Sequence, residues 1–156
     1  MHTSPWTRLA VVTLYAAAMA LVEAMVVYYL RRLFAEQYAT VFSARHFSFP
    51  RAYLRHEQVR EGATIVMLLA VGFLAGRGWW QRLAYFLFAF GVWDIGYYVA
   101  LKVMIGWPAS LATRDLLFLS PRQWWAPVWE PLLASTLLIA AALALLRFVP
   151  ERRARR

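Results

Sequence analysis

Four long apolar stretches, separated by polar and aromatic segments, dominate the pattern along this chain. A helix needs about 20 apolar residues to cross the hydrocarbon core of a bilayer. The stretches therefore predict four transmembrane helices, at approximately 9–30, 57–75, 83–105 and 128–146. The second stretch is continuously apolar only from Gly62, so it reaches spanning length only if Arg60 and Glu61 enter the end of the helix.

The residues that flank these stretches favour the same boundaries. Arg8 and the Arg31–Arg32 pair enclose the first stretch, and most of the tryptophans lie at predicted helix ends, where aromatic side chains prefer the membrane interface. A cleaved signal peptide is the alternative for the first stretch, because Ala18-Met19-Ala20 resembles a cleavage site. The apolar run continues to Leu30, which is too long for a signal peptide and favours a spanning helix.

The fold class that follows is an all-α membrane protein, a four-transmembrane-helix bundle forming a single integral membrane domain over residues 1–156. Two longer loops, at approximately 34–54 and 107–126, lie on one side because successive spans alternate in direction. Both loops are aromatic and basic. Such segments are typical of the membrane interface, either as anchors or as short amphipathic or re-entrant pieces.

Composition agrees with this class and narrows the partners. Hydrophobic residues make up 62% of the 156 residues and charged residues 16%, whereas a soluble domain is nearer half apolar and a quarter charged. The absence of Cys excludes disulfides, thiol nucleophiles and thiolate metal sites. The net charge is +9, but many arginines flank apolar stretches, so the predicted partners are the bilayer and its anionic lipids, and not nucleic acid.

The predicted location is a bacterial inner membrane, because the heavy use of Arg and Ala is typical of a GC-rich bacterial genome. Four spans place the N-terminus, the 77–82 turn and the C-terminus on one side. The basic residues divide almost equally between the two sides, so the positive-inside rule does not decide the orientation. The tight Gly76-Arg77-Gly78 turn and the arginine-rich tail at 151–156 favour cytoplasmic termini.

Polar residues inside the predicted spans are the candidate functional residues. Ionisable groups are costly in hydrocarbon and usually face the interior of a bundle with partners. Because spans alternate in direction, the candidates all fall at or near one half of the bilayer: Glu23, Arg31, Arg60, Glu61, Asp94, Tyr98, Lys102 and Glu130. Glu23 also lies beside a stripe of small residues, Ala16, Ala20 and Ala24, which predicts close approach of another helix.

Other candidates are weaker. Arginines in and beside the loops, Arg45, Arg51, Arg55 and Arg122, are candidates to bind lipid headgroups. A metal site around His56 is not predicted, because Arg60 occupies the position where the His-Glu-x-x-His motif needs its second histidine. No fingerprint of a cofactor is found either. Gly72 and Gly76 form a GxxxG pair, which allows a close helix approach within the bundle or in a dimer.

An internal duplication is a further hypothesis. At a constant offset of 71 residues, Glu23 corresponds to Asp94 and Arg31 to Lys102, and Glu61 comes within two residues of Glu130. Each half would then be a helix pair, with the two pairs as parallel repeats about an axis along the membrane normal. Most other positions at this offset do not match.

Three functions remain open on the sequence. The first interpretation is an accessory or structural membrane protein, in a homo-oligomer or larger membrane complex, whose charged groups hold helices together. The alternative is a small ion- or proton-coupled transporter, with Glu23 and Asp94 as protonatable ligands and Arg31 and Lys102 as counter-charges. The second alternative is a membrane-embedded enzyme acting on a lipid, although no catalytic motif is present.

Overall fold

The computed structural model describes residues 4–33, 51–120 and 122–148. Most of them belong to four α-helices: α1 (Pro5–Leu33), α2 (Arg51–Ala75), α3 (Trp79–Ile105) and α4 (Trp129–Phe148). Each helix is long and apolar enough to cross a membrane, which confirms the number of spans and indicates a membrane protein. Large apolar side chains such as Leu14, Phe73 and Leu137 are exposed on the outside of the bundle, as expected of surfaces that meet lipid.

The helices are longer than the predicted spans, because they continue through the residues that flank the apolar stretches. The largest difference is in α2, which begins at Arg51 rather than near residue 57. Its first turns therefore carry the polar residues 55–61, as the shortness of its apolar run requires. A three-residue turn joins α2 to α3, and the side-chain oxygen of Gln81 accepts a hydrogen bond of 3.1 Å from the Arg77 amide there.

Helix α3 is the centre of the bundle. The other three helices all pack against it, whereas α1 and α2 contact each other only slightly. Small residues make these approaches close: a Cβ added at Gly96 would lie 2.9 Å from the Cβ of Ala20 on α1. A Cβ added at Gly91 would lie 2.7 Å from the carbonyl oxygen of Ser135 on α4. Gly72 of α2 packs against α3 in the same way, so this member of the GxxxG pair serves the bundle itself.

The apolar core lies in the half of the bundle that contains the α2–α3 turn. Its buried members come from all four helices and include the predicted small-residue stripe of α1: Val12, Ala16, Leu68, Tyr85, Phe88, Ala89 and Ala142. Ala20 and Ala24, further along the same stripe, are also buried. In the opposite half the helices separate and enclose a cavity.

The second predicted loop contains an antiparallel β-hairpin, which the all-helical prediction did not include. Strand β1 (Arg114–Phe118) pairs with β2 (Trp124–Pro127), with Arg114 opposite Pro127 and an irregularity between Leu116 and Phe118. The segment before β1 is linked to the start of α4, because the Trp129 amide donates a hydrogen bond of 3.0 Å to the Leu111 carbonyl. Aromatic and branched residues in this loop fit a pleated strand better than a re-entrant helix.

The two helix pairs do not pack alike. Helices α3 and α4 lie against each other, whereas α1 and α2 are held mainly through α3. This packing does not show two equivalent halves, and the internal duplication stays a prediction.

Candidate functional site

The cavity has a volume of about 1210 Å³ and lies near the end of α1, the start of α2, the second half of α3 and the start of α4. The hairpin forms the remaining wall. The charged residues that line the cavity are three arginines and six carboxylates: Arg31, Arg60, Arg114, Glu23, Glu57, Glu61, Asp94, Asp115 and Glu130. These are six of the eight acidic residues of the chain. A protein with a net charge of +9 therefore encloses a cavity with an excess of acidic groups.

The same walls are rich in aromatic rings. They come from α3, from the segment that follows it and from the hairpin: Phe90, Trp93, Tyr97, Tyr98, Trp107, Phe118, Trp124 and Trp125. Aliphatic side chains such as Val27 and Ile65 complete the apolar surface. The cavity thus combines a largely apolar wall with a few convergent charged groups, which is the usual composition of a ligand pocket.

Arg60 holds the two glutamates nearest to it. Its guanidinium contacts the carboxylate of Glu23 on α1, and its Nη2 lies 2.7 Å from Glu57 Oε2, one turn earlier on α2. Thr64 Oγ1 lies 3.1 Å from the Arg60 carbonyl oxygen and 3.4 Å from Glu23 Oε2, so its one proton serves one of these acceptors. Arg60 therefore ties α1 to α2, two helices that otherwise contact each other only slightly.

Asp94 is linked to α4 by one hydrogen bond. Ser135 Oγ donates to Asp94 Oδ2 at 2.8 Å, beside the close approach of α3 and α4 at Gly91. The Ser135 side chain is almost fully buried, at 1% exposure. This burial favours an interhelical link over a nucleophile presented to a substrate.

The hairpin is fastened to the helices by three hydrogen bonds. Tyr98 of α3 donates its hydroxyl to Asp115 Oδ2 at 2.9 Å. The Leu119 amide donates to Glu61 Oε2 at 3.0 Å, and Gln58 Nε2 donates to the Leu119 carbonyl at 3.3 Å. Burial raises the pKa of Asp115, although the hydrogen bonds from Tyr98 and from the Leu116 backbone oppose this effect.

A stack of rings connects α1 to the hairpin wall. The Arg31 guanidinium lies 4.3 Å from the centroid of the Trp107 ring, which stacks on Tyr98 with 6.1 Å between centroids. The Tyr97 ring meets Tyr98 edge-on at 5.1 Å. The wall of the cavity therefore already contains one cation held on an aromatic face.

Among the polar groups of the lining, Glu130 and Trp93 form no hydrogen bond within residues 4–33, 51–120 and 122–148. The Glu130 carboxylate, in the first turn of α4, forms neither an ion pair nor a hydrogen bond there. The Trp93 indole nitrogen is buried and has no acceptor. The Glu130 side chain is partly exposed, so the Trp93 indole is the buried group of the two that departs from the usual pairing of buried polar groups.

Seven of the eight candidates for the polar cluster line this cavity, namely Glu23, Arg31, Arg60, Glu61, Asp94, Tyr98 and Glu130. The structure corrects the counter-charges within the cluster. Glu23 pairs with Arg60 and not with Arg31, whose guanidinium lies on Trp107. Glu23 and Arg31 lie eight residues apart on one face of α1. The rotation of α1 relative to α2 nevertheless brings Glu23 to Arg60.

Lys102 is the candidate that does not line the cavity. It is exposed, and its Nζ donates to the carbonyl oxygens of Gly106 at 3.2 Å and Pro108 at 2.8 Å. Cations are favourable at the C-terminal end of a helix, where the last carbonyls lack partners. Lys102 therefore caps α3 and is not a counter-charge of Asp94.

The lipid-headgroup candidates lie elsewhere. Arg55 and Arg122 are exposed and do not belong to the cavity lining, and α2 begins at Arg51. Arg45 lies outside the described residues. Their proposed contacts with lipid stay a prediction.

Sequence reasoning missed several residues of the site, above all Glu57, Asp115 and Trp107. Glu57 precedes Glu61 by four residues, so the two share a helical face, and this spacing was the available signal. Asp115 precedes an apolar run in the second loop, and a lone acidic residue in such a segment was the available signal. Only the hairpin brings it to the helices.

Despite the six carboxylates, the described part of the chain contains no group of three His, Asp or Glu residues placed to hold a metal ion. The chain matches no protein-family model, no curated protein and no solved structure. Its function is therefore inferred from the site alone.

Proposed function

We propose that this protein binds an organic ligand in the carboxylate-rich cavity, in the manner of a small membrane transporter. The observation that carries the proposal is the cavity itself, about 1210 Å³ lined by aromatic rings and convergent charges. Pockets for drug-sized ligands occupy about 300–1,000 Å³. A cavity of this size has room for such a molecule between the four helices.

The accessory or structural interpretation accounts for only part of the site. The contacts of Arg60 and the Asp94–Ser135 bond hold helices together and suit an assembly role. Interiors that serve stability alone are close-packed, however, with few voids larger than a water molecule. The open half of this bundle departs from that rule, while the opposite half follows it.

The proposal includes a location in a bacterial inner membrane with cytoplasmic termini. Its support is the short α2–α3 turn and the arginines of the C-terminal tail, which suit the cytoplasmic face. In this orientation the cavity and the hairpin lie in the periplasmic half of the bundle. Ligand would then enter from the periplasmic side.

Cysteine labelling tests whether the cavity is an accessible chamber. The chain contains no Cys, so a single introduced cysteine reports one position. Ala134 and Ala140 are both exposed residues of α4, but only Ala134 lines the cavity. Thiols react as thiolates, which need water, so Ala134→Cys should react with a membrane-impermeant methanethiosulfonate about tenfold faster than Ala140→Cys in intact spheroplasts.

Equal and slow labelling of both variants would contradict an accessible cavity. Labelling of Ala134→Cys only in inverted vesicles would retain the chamber and reverse the proposed orientation. Both variants must elute as monodisperse protein in detergent, because a misfolded bundle would expose either cysteine.

A further inference from the structure

We propose that the ligand of this cavity is an organic cation with an apolar or aromatic body, and that Glu130 is the principal acceptor of its charge. This inference rests on the proposed ligand-binding function and names the chemical class of the ligand. Its three supports are the charge balance of the lining, the environment of Glu130, and the aromatic wall.

The charge balance of the lining is negative. Two of the six carboxylates, Glu23 and Glu57, share the single guanidinium of Arg60. The Arg31 guanidinium lies over the Trp107 ring. Arg114 Nη2 donates a hydrogen bond of 3.2 Å to the Trp125 carbonyl of the hairpin. No ion pair to the other four carboxylates occurs in the part of the chain that the structure describes. Six carboxylates thus share the lining with three arginines, and a cationic ligand would reduce this excess of negative charge.

These four carboxylates are not equivalent. Glu61 and Asp115 accept hydrogen bonds that fasten the hairpin, and Asp94 accepts one from Ser135. Glu130 has no such bond within the described residues, and it lies in the first turn of α4. The positive end of a helix dipole stabilises negative charge there. Glu130 is thus the member of the four that makes no hydrogen bond within the described residues.

The aromatic wall suits the same ligand class. Cations bind favourably over the faces of tryptophan and tyrosine rings. The cavity already shows this chemistry, since the Arg31 guanidinium lies 4.3 Å from the centroid of Trp107. Further rings from α3 and the hairpin, such as Trp93 and Trp124, line the space beyond it. They would contact the apolar body of a ligand whose positive charge lies at Glu130.

An ammonium group on an apolar body has two natural sources. One is a free amphiphilic amine, and the other is a lipid with an amine headgroup. Both present the same chemistry to the cavity, and competition between them distinguishes the sources.

The test uses two ions of nearly the same size and shape but opposite charge, tetraphenylphosphonium and tetraphenylborate, with triphenylphosphine oxide as an uncharged probe. Saturable binding of each is measured by equilibrium dialysis with the full chain in dodecyl maltoside, against protein-free micelles. Tetraphenylphosphonium should bind at least about tenfold more tightly than tetraphenylborate, and Glu130→Gln should weaken its binding about tenfold, as expected for the loss of one attractive charge near the ligand.

Matched variants separate charge from shape. Glu130→Asp keeps the charge and should retain most of the binding. Ala134→Trp places an indole ring in the cavity one turn after Glu130 and should abolish binding there, whereas Ala140→Trp, outside the lining, should leave it unchanged. Displacement of tetraphenylphosphonium by phosphatidylethanolamine, but not by phosphatidylglycerol, assigns a lipid source. Displacement only by dodecylamine, which is protonated at neutral pH, assigns a free amine.

The outcomes separate this inference from the proposed function. If tetraphenylborate or the uncharged probe binds as tightly as the cation, and Ala134→Trp abolishes that binding, the cavity binds ligands but the cation inference is wrong. Wild-type affinity for the cation in Glu130→Gln would also overturn it. If none of the three probes binds saturably, the proposed ligand-binding function and the cation inference are both wrong.

Discussion

Loss of Arg60 should destabilise the folded protein more than loss of any other described arginine, because it compensates two carboxylates at once. The Arg60 side chain is 29% exposed, Glu23 16% and Glu57 12%. Removing one partner of a buried ion pair costs about 3–5 kcal/mol, whereas an exposed pair contributes about 0–1 kcal/mol. The partial exposure of the guanidinium places Arg60→Met between these limits, at about 2–3 kcal/mol.

The free energy of unfolding is measured by titrating mixed detergent micelles with sodium dodecyl sulfate, where unfolding is reversible. A thermodynamic cycle then isolates the pair. In the Arg60→Met background, Glu23→Gln should restore about 1 kcal/mol or more, because it removes a carboxylate that has lost its partner. Arg60→Lys should fall between wild type and Arg60→Met, since an ammonium group lacks the fork that reaches both glutamates.

Arg122→Met is the matched control, because Arg122 is exposed and outside the cavity lining. It should change stability by less than about 0.5 kcal/mol. An equally small effect of Arg60→Met, or strictly additive effects of Arg60→Met and Glu23→Gln, would refute the claim that this pair ties α1 to α2.

Three further predictions concern packing, the hairpin and pH. Gly96→Leu should separate α1 from α3 and cause aggregation on size-exclusion chromatography, whereas Gly62→Ala, where an added Cβ meets nothing within 4 Å, should stabilise the protein by up to about 1 kcal/mol. A monodisperse Gly96→Leu protein would argue against the close approach. Glu61→Ala removes the acceptor of the Leu119 amide, so that amide should exchange with deuterium about fivefold faster; unchanged exchange would show that this bond does not fasten the hairpin. Burial raises the pKa of Asp115 above its ordinary value of 3.8, so the folded state holds this proton more tightly than the unfolded state. Wild type should therefore lose thermal stability relative to Asp115→Asn as the pH rises from 3.8 through the raised pKa, and a relative gain would refute this.

The four helices could be predicted because the bilayer imposes its requirement on each segment separately. The apolar stretch that became α3 needed only its own residues to be identified, and its end at Ile105 agrees with the prediction. The early start of α2 was also implied, since 62–75 alone is too short to cross. The side of the membrane shared by the polar residues followed from the alternating direction of the spans.

The contacts inside the site could not be predicted in this way. Glu23 has Arg31 on its own helical face, yet its partner Arg60 comes from another helix. Asp115 becomes a cavity residue only because the hairpin folds back onto Tyr98. Lys102 belongs to the predicted polar cluster, but its ammonium group donates to carbonyls just beyond the end of α3.

The sequence by itself thus determined the number of spans, the membrane class and the half of the bundle that holds the polar residues. Hydropathy and span direction are properties of single segments, so no knowledge of neighbouring helices is required. The tertiary structure alone decided that α3 is the central helix, that the polar half opens into a cavity, and that Glu130 is left without a described partner. These features depend on the rotation and separation of helices relative to one another, which arise only when close approaches such as Gly96 against Ala20 are made.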